Sequence, residues 1–220
     1  MENLKQLREL MNQHSLDGLA VVPGPNMAHL TKSRFHLSER PVVFFILQNE
    51  ATFILPELES PKILDLGVDY ITYDDEEGPR PAFEKFAKTN NISKLGVESR
   101  TIRHLELDLI SSTGISSNIV DSIDIFAKLR MSKSDKEKDC MIDAVKIAET
   151  SLKSILGNIK PGVTEKQFAA DLVIELLRNG SDSELPFSPI VASGINAANP
   201  HHFPGNKEFQ DGELIIIDWG

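Results

Sequence analysis

From Leu19 to Val120, short apolar runs alternate with helix-patterned segments, and few architectures accept that order. Leu19-Ala20-Val21-Val22, Tyr70-Ile71-Thr72-Tyr73, Leu95-Gly96-Val97-Glu98 and Asn118-Ile119-Val120 each suit a strand and are too short for a helix. Val42 to Leu47 and Thr52 to Leu55 flank Gln48-Asn49-Glu50-Ala51, which predicts a hairpin. Leu4, Leu7, Leu10, Met11 and His14 share one helical face, and Gly18 ends that pattern. Pro23-Gly24-Pro25-Asn26 reads as a chain break. Phe83, Phe86 and Ala87 predict a helix before Leu95, and Ile102 to Ile110 another after it. Strands and helices in this order argue for an α/β sheet.

The character changes near Leu129. Ser134-Asp135-Lys136-Glu137 has capping-box spacing, in which the serine oxygen and the glutamate carboxylate satisfy free amides at a helix start. Ile142, Val145, Ala148, Leu152, Ile155, Leu156 and Ile159 then form one long apolar stripe, which Pro161-Gly162 stops. Thr164-Glu165-Lys166-Gln167 repeats the capping spacing. Phe168, Leu172, Val173, Leu176 and Leu177 make a second apolar face, and Gly180 sits where a helix-terminating glycine belongs. The reading is two domains, residues 1–130 and 131–220.

Charge and cysteine content narrow the function classes. A net charge of −10 over 220 residues, without a basic cluster, excludes nucleic acid and anionic membrane as partners. Lys133 to Lys138 is interleaved with Asp135 and Glu137, and the run Asp74-Asp75-Glu76-Glu77 reads as a solvated loop. Cys140 is the single cysteine, so no intrachain disulfide can form; it reads as a small apolar filler on a helix. The start Met1-Glu2-Asn3-Leu4-Lys5 is no signal peptide, and Val42 to Leu47 is too short to span a bilayer. A cytoplasmic, soluble protein is the expectation.

Chemistry concentrates in Ile190 to Gly205 and Asp211 to Gly220. Ser193-Gly194, Asn199-Pro200 and Asp211-Gly212 are turn signals. Leu214 to Ile217 reads as a buried strand, closed by Asp218. A carboxylate at the end of a buried strand is costly unless hydrogen-bonded, paired or bound to metal. From the residues alone Asp218 is a turn former or a metal ligand. His201 and His202 are hydrogen-bonded loop histidines or site groups; adjacent residues of a strand point to opposite faces, so they do not share one ion.

The stretch Ser193-Gly194-Ile195-Asn196-Ala197-Ala198-Asn199-Pro200-His201-His202-Phe203-Pro204-Gly205, with Asp211-Gly212-Glu213-Leu214-Ile215-Ile216-Ile217-Asp218-Trp219-Gly220, resembles the start of the catalytic pita-bread domain of Xaa-Pro aminopeptidases and prolidases, the creatinase-like family. Ile159 to Glu165 and Lys128 to Ser134 resemble that family's helix connection and domain junction. Asp17 to Asn26 with His29-Leu30-Thr31 resembles its N-terminal domain. The resemblance implies a creatinase-type N-terminal α/β domain followed by the first part of a pita-bread α+β domain. By the same resemblance Asp218 corresponds to the first metal-binding aspartate. His201 corresponds to a catalytic histidine that faces the substrate near the scissile carbonyl and stabilises the tetrahedral intermediate. His202 receives no role.

The family implies two divalent metal ions (Mn, Co or Zn), a short proline-containing peptide as substrate, and a homodimer. Its remaining ligands, a second Asp, a His and two Glu, come later in the chain than Asp218. These 220 residues alone are therefore expected to bind no metal and to be inactive, as part of a longer protein, with an exposed apolar strand edge at Leu214 to Ile217. Two alternatives share the fold: a non-catalytic peptide- or histone-binding pseudo-peptidase, and a creatinase-like amidinohydrolase. A methionine aminopeptidase fits the long N-terminal domain poorly.

Overall fold

The structure, a computed structural model, describes residues 2–220, which divide between Ser132 and Lys133 into two compact units. In the first, the order is α1 (Glu2–Gln13), β1 (Gly18–Val21), α2 (Pro25–Thr31), β2 (Val43–Leu47), β3 (Ala51–Pro56), β4 (Asp69–Tyr73), α3 (Arg80–Thr89), β5 (Leu95–Val97), α4 (His104–Ser112), β6 (Ile119–Asp121) and α5 (Ile123–Met131). The strands form one mixed sheet in the order β4-β3-β2-β1-β5-β6. β2 runs antiparallel to β1 and β3, whereas β3–β4, β1–β5 and β5–β6 are parallel pairs.

Side-chain alternation along the central strands splits the apolar residues between two cores. Leu19, Val21, Phe44, Ile46, Phe53 and Leu55 face α1 and α5, whose Leu7, Met11 and Phe126 complete that layer. Ala20, Val22, Val43, Phe45 and Ile54 face α3 and α4, through Phe83, Phe86, Leu109 and Ile110. Strands buried on both faces read as continuous apolar runs, and β1 to β3 do. The α/β expectation holds here, and the Val42–Leu55 hairpin forms as read.

Three local expectations change. The first helix ends at Gln13, and Gly18 opens β1 instead of closing that helix. Pro25 does not break the chain: it occupies the first turn of α2, where its missing amide costs no hydrogen bond. α5 was not anticipated; Ile125, Phe126 and Leu129 bury its inner face. Arg130 at its end donates to Asn26 Oδ1 at 2.9 Å, and Asn26 Nδ2 donates to Glu98, which is buried at the end of β5. The acidic run Asp74 to Glu77 is exposed throughout, as a solvated loop; within it Arg40 donates two hydrogen bonds to Asp75, and Asp74 accepts from the Glu76 and Glu77 amides.

Gly96 in β5 is a steric requirement. A Cβ there would lie 2.0 Å from Ser122 Oγ, 2.6 Å from Leu19 Cδ2 and 2.9 Å from Leu16 Cδ1. All three neighbours are buried and cannot swing into solvent. Gly96→Ala is expected to destabilise the first unit by about 1–3 kcal/mol of overpacking strain in urea unfolding. A loss below about 0.5 kcal/mol would mean that the three side chains repack freely.

The second unit comprises α6 (Asp135–Ile155), α7 (Glu165–Arg178), β7 (Ile190–Ser193) and β8 (Ile215–Asp218). Both predicted capping boxes form, with Ser134 accepting from the Glu137 amide and Thr164 from the Gln167 amide. Gly180, at φ 104°, ends α7; its amide donates to Leu177 O and that of Ser181 to Leu176 O, the paired bonds of a Schellman motif. The core gathers Ile155, Phe168, Leu172, Leu176, Val191 and Phe209, with Ile215, Ile217 and Trp219 packed against it. Trp219 Nε1 donates to Ala148 O at 2.9 Å.

The stripe on α6 is buried only toward its C-terminal end, because Ala148, Leu152 and Ile155 reach this core while Ile142 and Val145 stay about half exposed. Cys140, on the same exposed half, is not a packed filler. The run Leu214 to Ile217 is not a strand buried on both faces. β8 pairs only with β7 in an antiparallel two-stranded ladder, Ile215 and Ile217 turn inward, and Ile216 is 44% and Leu214 71% exposed. Among the described residues, no helix is long and apolar enough to cross a membrane.

Candidate functional site

The most concentrated polar arrangement of the second unit is built on Glu165, the first residue of α7. Its side chain has no exposed surface. The carboxylate turns sideways from the helix to the end of β7 and the loop beyond. Oε1 accepts from the Ser193 amide at 2.8 Å, the Ser193 hydroxyl at 2.9 Å and Asn196 Nδ2 at 3.0 Å. Oε2 accepts from His202 Nε2 at 2.8 Å and the Gly205 amide at 3.2 Å. Burial by itself would push this carboxyl upward; the bonds from His202, Asn196 and Ser193 outweigh it and bring it down to about 2. An ionised carboxylate can only accept, so the His202 proton on this contact sits on Nε2.

A second layer supports the first. Lys207 Nζ donates to Ser193 Oγ at 3.1 Å and to Glu213, so the Ser193 hydroxyl is polarised toward Glu165. The Glu165 amide donates to Lys207 O and the Lys166 amide to Gly205 O, which satisfies free donors of the α7 N-terminus with loop carbonyls. Gly194 has φ 53°, and a Cβ there would come within 2.2 Å of Glu213 Oε1. The tight turn out of β7 therefore requires glycine.

The loop from Gly194 to Gly205 is thus tied to one carboxylate at Asn196, His202 and Gly205. Between the last two ties and Asn196, the Asn199 side chain accepts from the His201 amide at 3.1 Å, and the His202 amide donates to Asn199 O. This turn sends the two histidine side chains different ways. His202 is half-buried against Glu165, and His201 is exposed. Asp218 is exposed as well, on the outward side of β8 with Ile216; its backbone lies opposite Ile190 of β7.

His201 and Asp218, the residues singled out in the sequence, are therefore both on the surface, and the expectation of Asp218 closing a buried strand is corrected by the one-sided ladder. A carboxylate oxygen is the hard donor that Mn²⁺ takes, so Asp218 suits one ligand position, but one exposed carboxylate does not hold an ion. Among the described residues, no group of three or more His, Cys, Asp or Glu could hold a metal. Sequence reasoning missed Glu165, Ser193 and Lys207. In the sequence Glu165 stands inside the capping spacing Thr164–Gln167 and closes the family-like helix connection; Gln167 performs the reciprocal capping as that spacing predicts, which leaves the Glu165 carboxylate free to leave the helix.

Comparison with known proteins accounts for both units. The model of the creatinase/prolidase N-terminal domain matches residues 3–132, and that of metallopeptidase family M24 matches residues 139–220. The chain is 27% identical to an uncharacterised peptidase, YqhT, of Bacillus subtilis over 99% of its own length and 60% of that protein's. It is 28% identical to a Xaa-Pro dipeptidase of Pyrococcus horikoshii, over its full length and 60% of the relative's. The crystal structure of a dipeptidase from P. horikoshii OT3 superposes with a TM-score of 0.89 at 30% identity, over 99% of this chain and 61% of that one. The chain spans roughly half to three fifths of the curated relatives it matches. With a family model matching most of each unit and a solved dipeptidase superposing over 99% of the chain, the chain belongs to the creatinase/prolidase family of metallopeptidases, family M24.

Proposed function

We propose that the intact protein is a metal-dependent exopeptidase that hydrolyses the peptide bond between an N-terminal residue and proline, as an Xaa-Pro dipeptidase or aminopeptidase. The observation that carries this reading is the end-to-end pair of family matches over 3–132 and 139–220. The Xaa-Pro dipeptidase among the relatives supports the proline preference. Residues 1–130 are the creatinase-type N-terminal domain, and 131–220 open the catalytic domain. The protein acts in the cytoplasm, as a homodimer, on short peptides.

In this reading Asp218 is one ligand of a pair of divalent ions (Mn, Co or Zn), completed by residues of the intact protein outside these 220. Bound there, such ions would supply a water of lowered pKa for peptide hydrolysis. His201 stands free on its turn, with its backbone amide already bonded to Asn199. Its ring donates to the carbonyl oxygen as negative charge develops there. By itself, the chain described here brings one carboxylate to this task and is inactive.

The test is hydrolysis of Xaa-Pro dipeptides and longer Xaa-Pro peptides by the intact protein, after chelation and after adding back Mn²⁺, Co²⁺ or Zn²⁺. Loss of activity on chelation and recovery with one of these ions is expected. His201→Ala should lower kcat about a hundredfold, the usual cost of removing one oxyanion donor. Tight peptide binding without cleavage under every metal would replace the enzyme with a peptide-binding pseudo-peptidase. Metal-independent cleavage of creatine would move it to the amidinohydrolases.

A further inference from the structure

The loop that carries His201 is held in an unusual way. Three of its positions, Asn196, His202 and Gly205, bond to the same buried carboxylate, that of Glu165, whose remaining bonds go to Ser193 where the loop leaves β7. His201 sits inside this closed circuit, next to its only imidazole tie, and its own ring takes no part in it. A loop residue has backbone freedom, and a catalytic donor displaced by about 1 Å can lose about a hundredfold in rate. Holding such a donor still requires that its neighbours be bonded to something that cannot move. Glu165 meets that condition: it is anchored as the first residue of a fourteen-residue helix, fully buried and saturated with donors.

Resting on the role proposed for His201, we infer that Glu165 and His202 are positioning residues, and that the His202 Nε2–H···Glu165 bond fixes the turn from which His201 addresses the substrate. The two adjacent histidines then divide the work. His202 points in and sets the backbone; His201 points out and meets the carbonyl. Neither Glu165 nor His202 touches substrate or metal. The same logic extends to Lys207, which orients the Ser193 hydroxyl toward Glu165 from the other side.

The experiment compares His202→Ala, His202→Gln and His201→Ala in the intact protein, reading kcat and KM separately and following amide exchange over residues 194–205 by mass spectrometry. Glutamine can place its Nε2–H₂ near the position of the imidazole donor; alanine cannot. His202→Ala should speed exchange of that loop and lower kcat at least about tenfold with KM changed less than about threefold. His202→Gln should restore most of both. If His202→Ala fails to fold, Glu165→Gln replaces it, since an amide nitrogen or an uncharged oxygen facing His202 weakens the same bond. A looser loop with full kcat, while His201→Ala is impaired, overturns the positioning role alone. Full kcat in His201→Ala overturns the reading of His201 and this inference with it. Unchanged exchange in His202→Ala also overturns the inference, because the bond then fixes nothing.

Discussion

Glu165→Ala is expected to cost the second unit about 4 kcal/mol, a large share of the stability of an ordinary domain. The substitution removes one side chain but strands its partners. The amides of Ser193 and Gly205, the Asn196 carboxamide and the His202 imidazole all lose their acceptor, and Ser193 has no access to water. A buried donor left unpaired costs about 1–3 kcal/mol, and an ionised hub removed from its partners costs more than its net contribution in place. Amide exchange at Ser193 and Gly205 in the folded protein, with urea unfolding of the whole, reads the effect. A loss under about 1 kcal/mol would show that the site relaxes and hydrates at little cost.

The same carboxylate gives the unit an acid limit. The folded Glu165 carboxyl lies at about 2, against an ordinary value of 4.5. Being depressed, it contributes stability that is complete above pH 4.5 and is lost as the pH falls toward 2. The linkage amounts to about 3 kcal/mol, and Glu165→Gln should flatten this part of the stability profile while lowering its plateau.

Phe45→Ala should destabilise the first unit by about 3–5 kcal/mol. Phe45 lies in β2, at the centre of the sheet, without exposed surface. Its ring stacks on Phe86 at 4.4 Å between centroids and meets Phe83 edge-on at 6.2 Å, so one truncation removes two aromatic contacts along with the buried area. The neighbours are β-strand backbone and the inner face of α3, neither of which can collapse into the gap. Phe45→Leu, which refills part of that volume, should recover about half of the loss in the same urea titration. Equal losses for alanine and leucine would mean that the ring contacts, not the volume, carry the effect.

The first unit was largely legible because its strands are buried on both faces and their apolar runs carry the pattern without help from context. What escaped was set by single positions. Pro25 starts a helix or ends one by the same local chemistry, and only the packing of Met27 and Thr31 decides between them. In the second unit, periodicity located α6 and α7 but could not tell which part of a stripe would be covered. Ile142 and Ile155 look alike in sequence, and only the second reaches Phe168 and its neighbours.

The site was legible as a segment and not as a geometry. Ser193 to Gly205 was identified as the stretch carrying chemistry, yet its anchor lies almost thirty positions away, on a helix whose first turn already had a sufficient local explanation. A glutamate next to a capping threonine gives no sign that its carboxylate leaves the helix to bind a strand end. The sequence sets the adjacent histidines on opposite faces of a strand, whereas a turn carries them. Which of them turned inward depended on Glu165.

Trp219 is the chain's single tryptophan and belongs to the second unit, whereas both tyrosines, Tyr70 and Tyr73, lie on β4 of the first. The indole is partly shielded and bonded to the Ala148 carbonyl, so loss of that contact will redden and alter its emission. Excited beyond the tyrosine absorption edge, the molecule becomes its own optical gauge for one half only. Unfolding of the second unit can then be timed by itself, without labels.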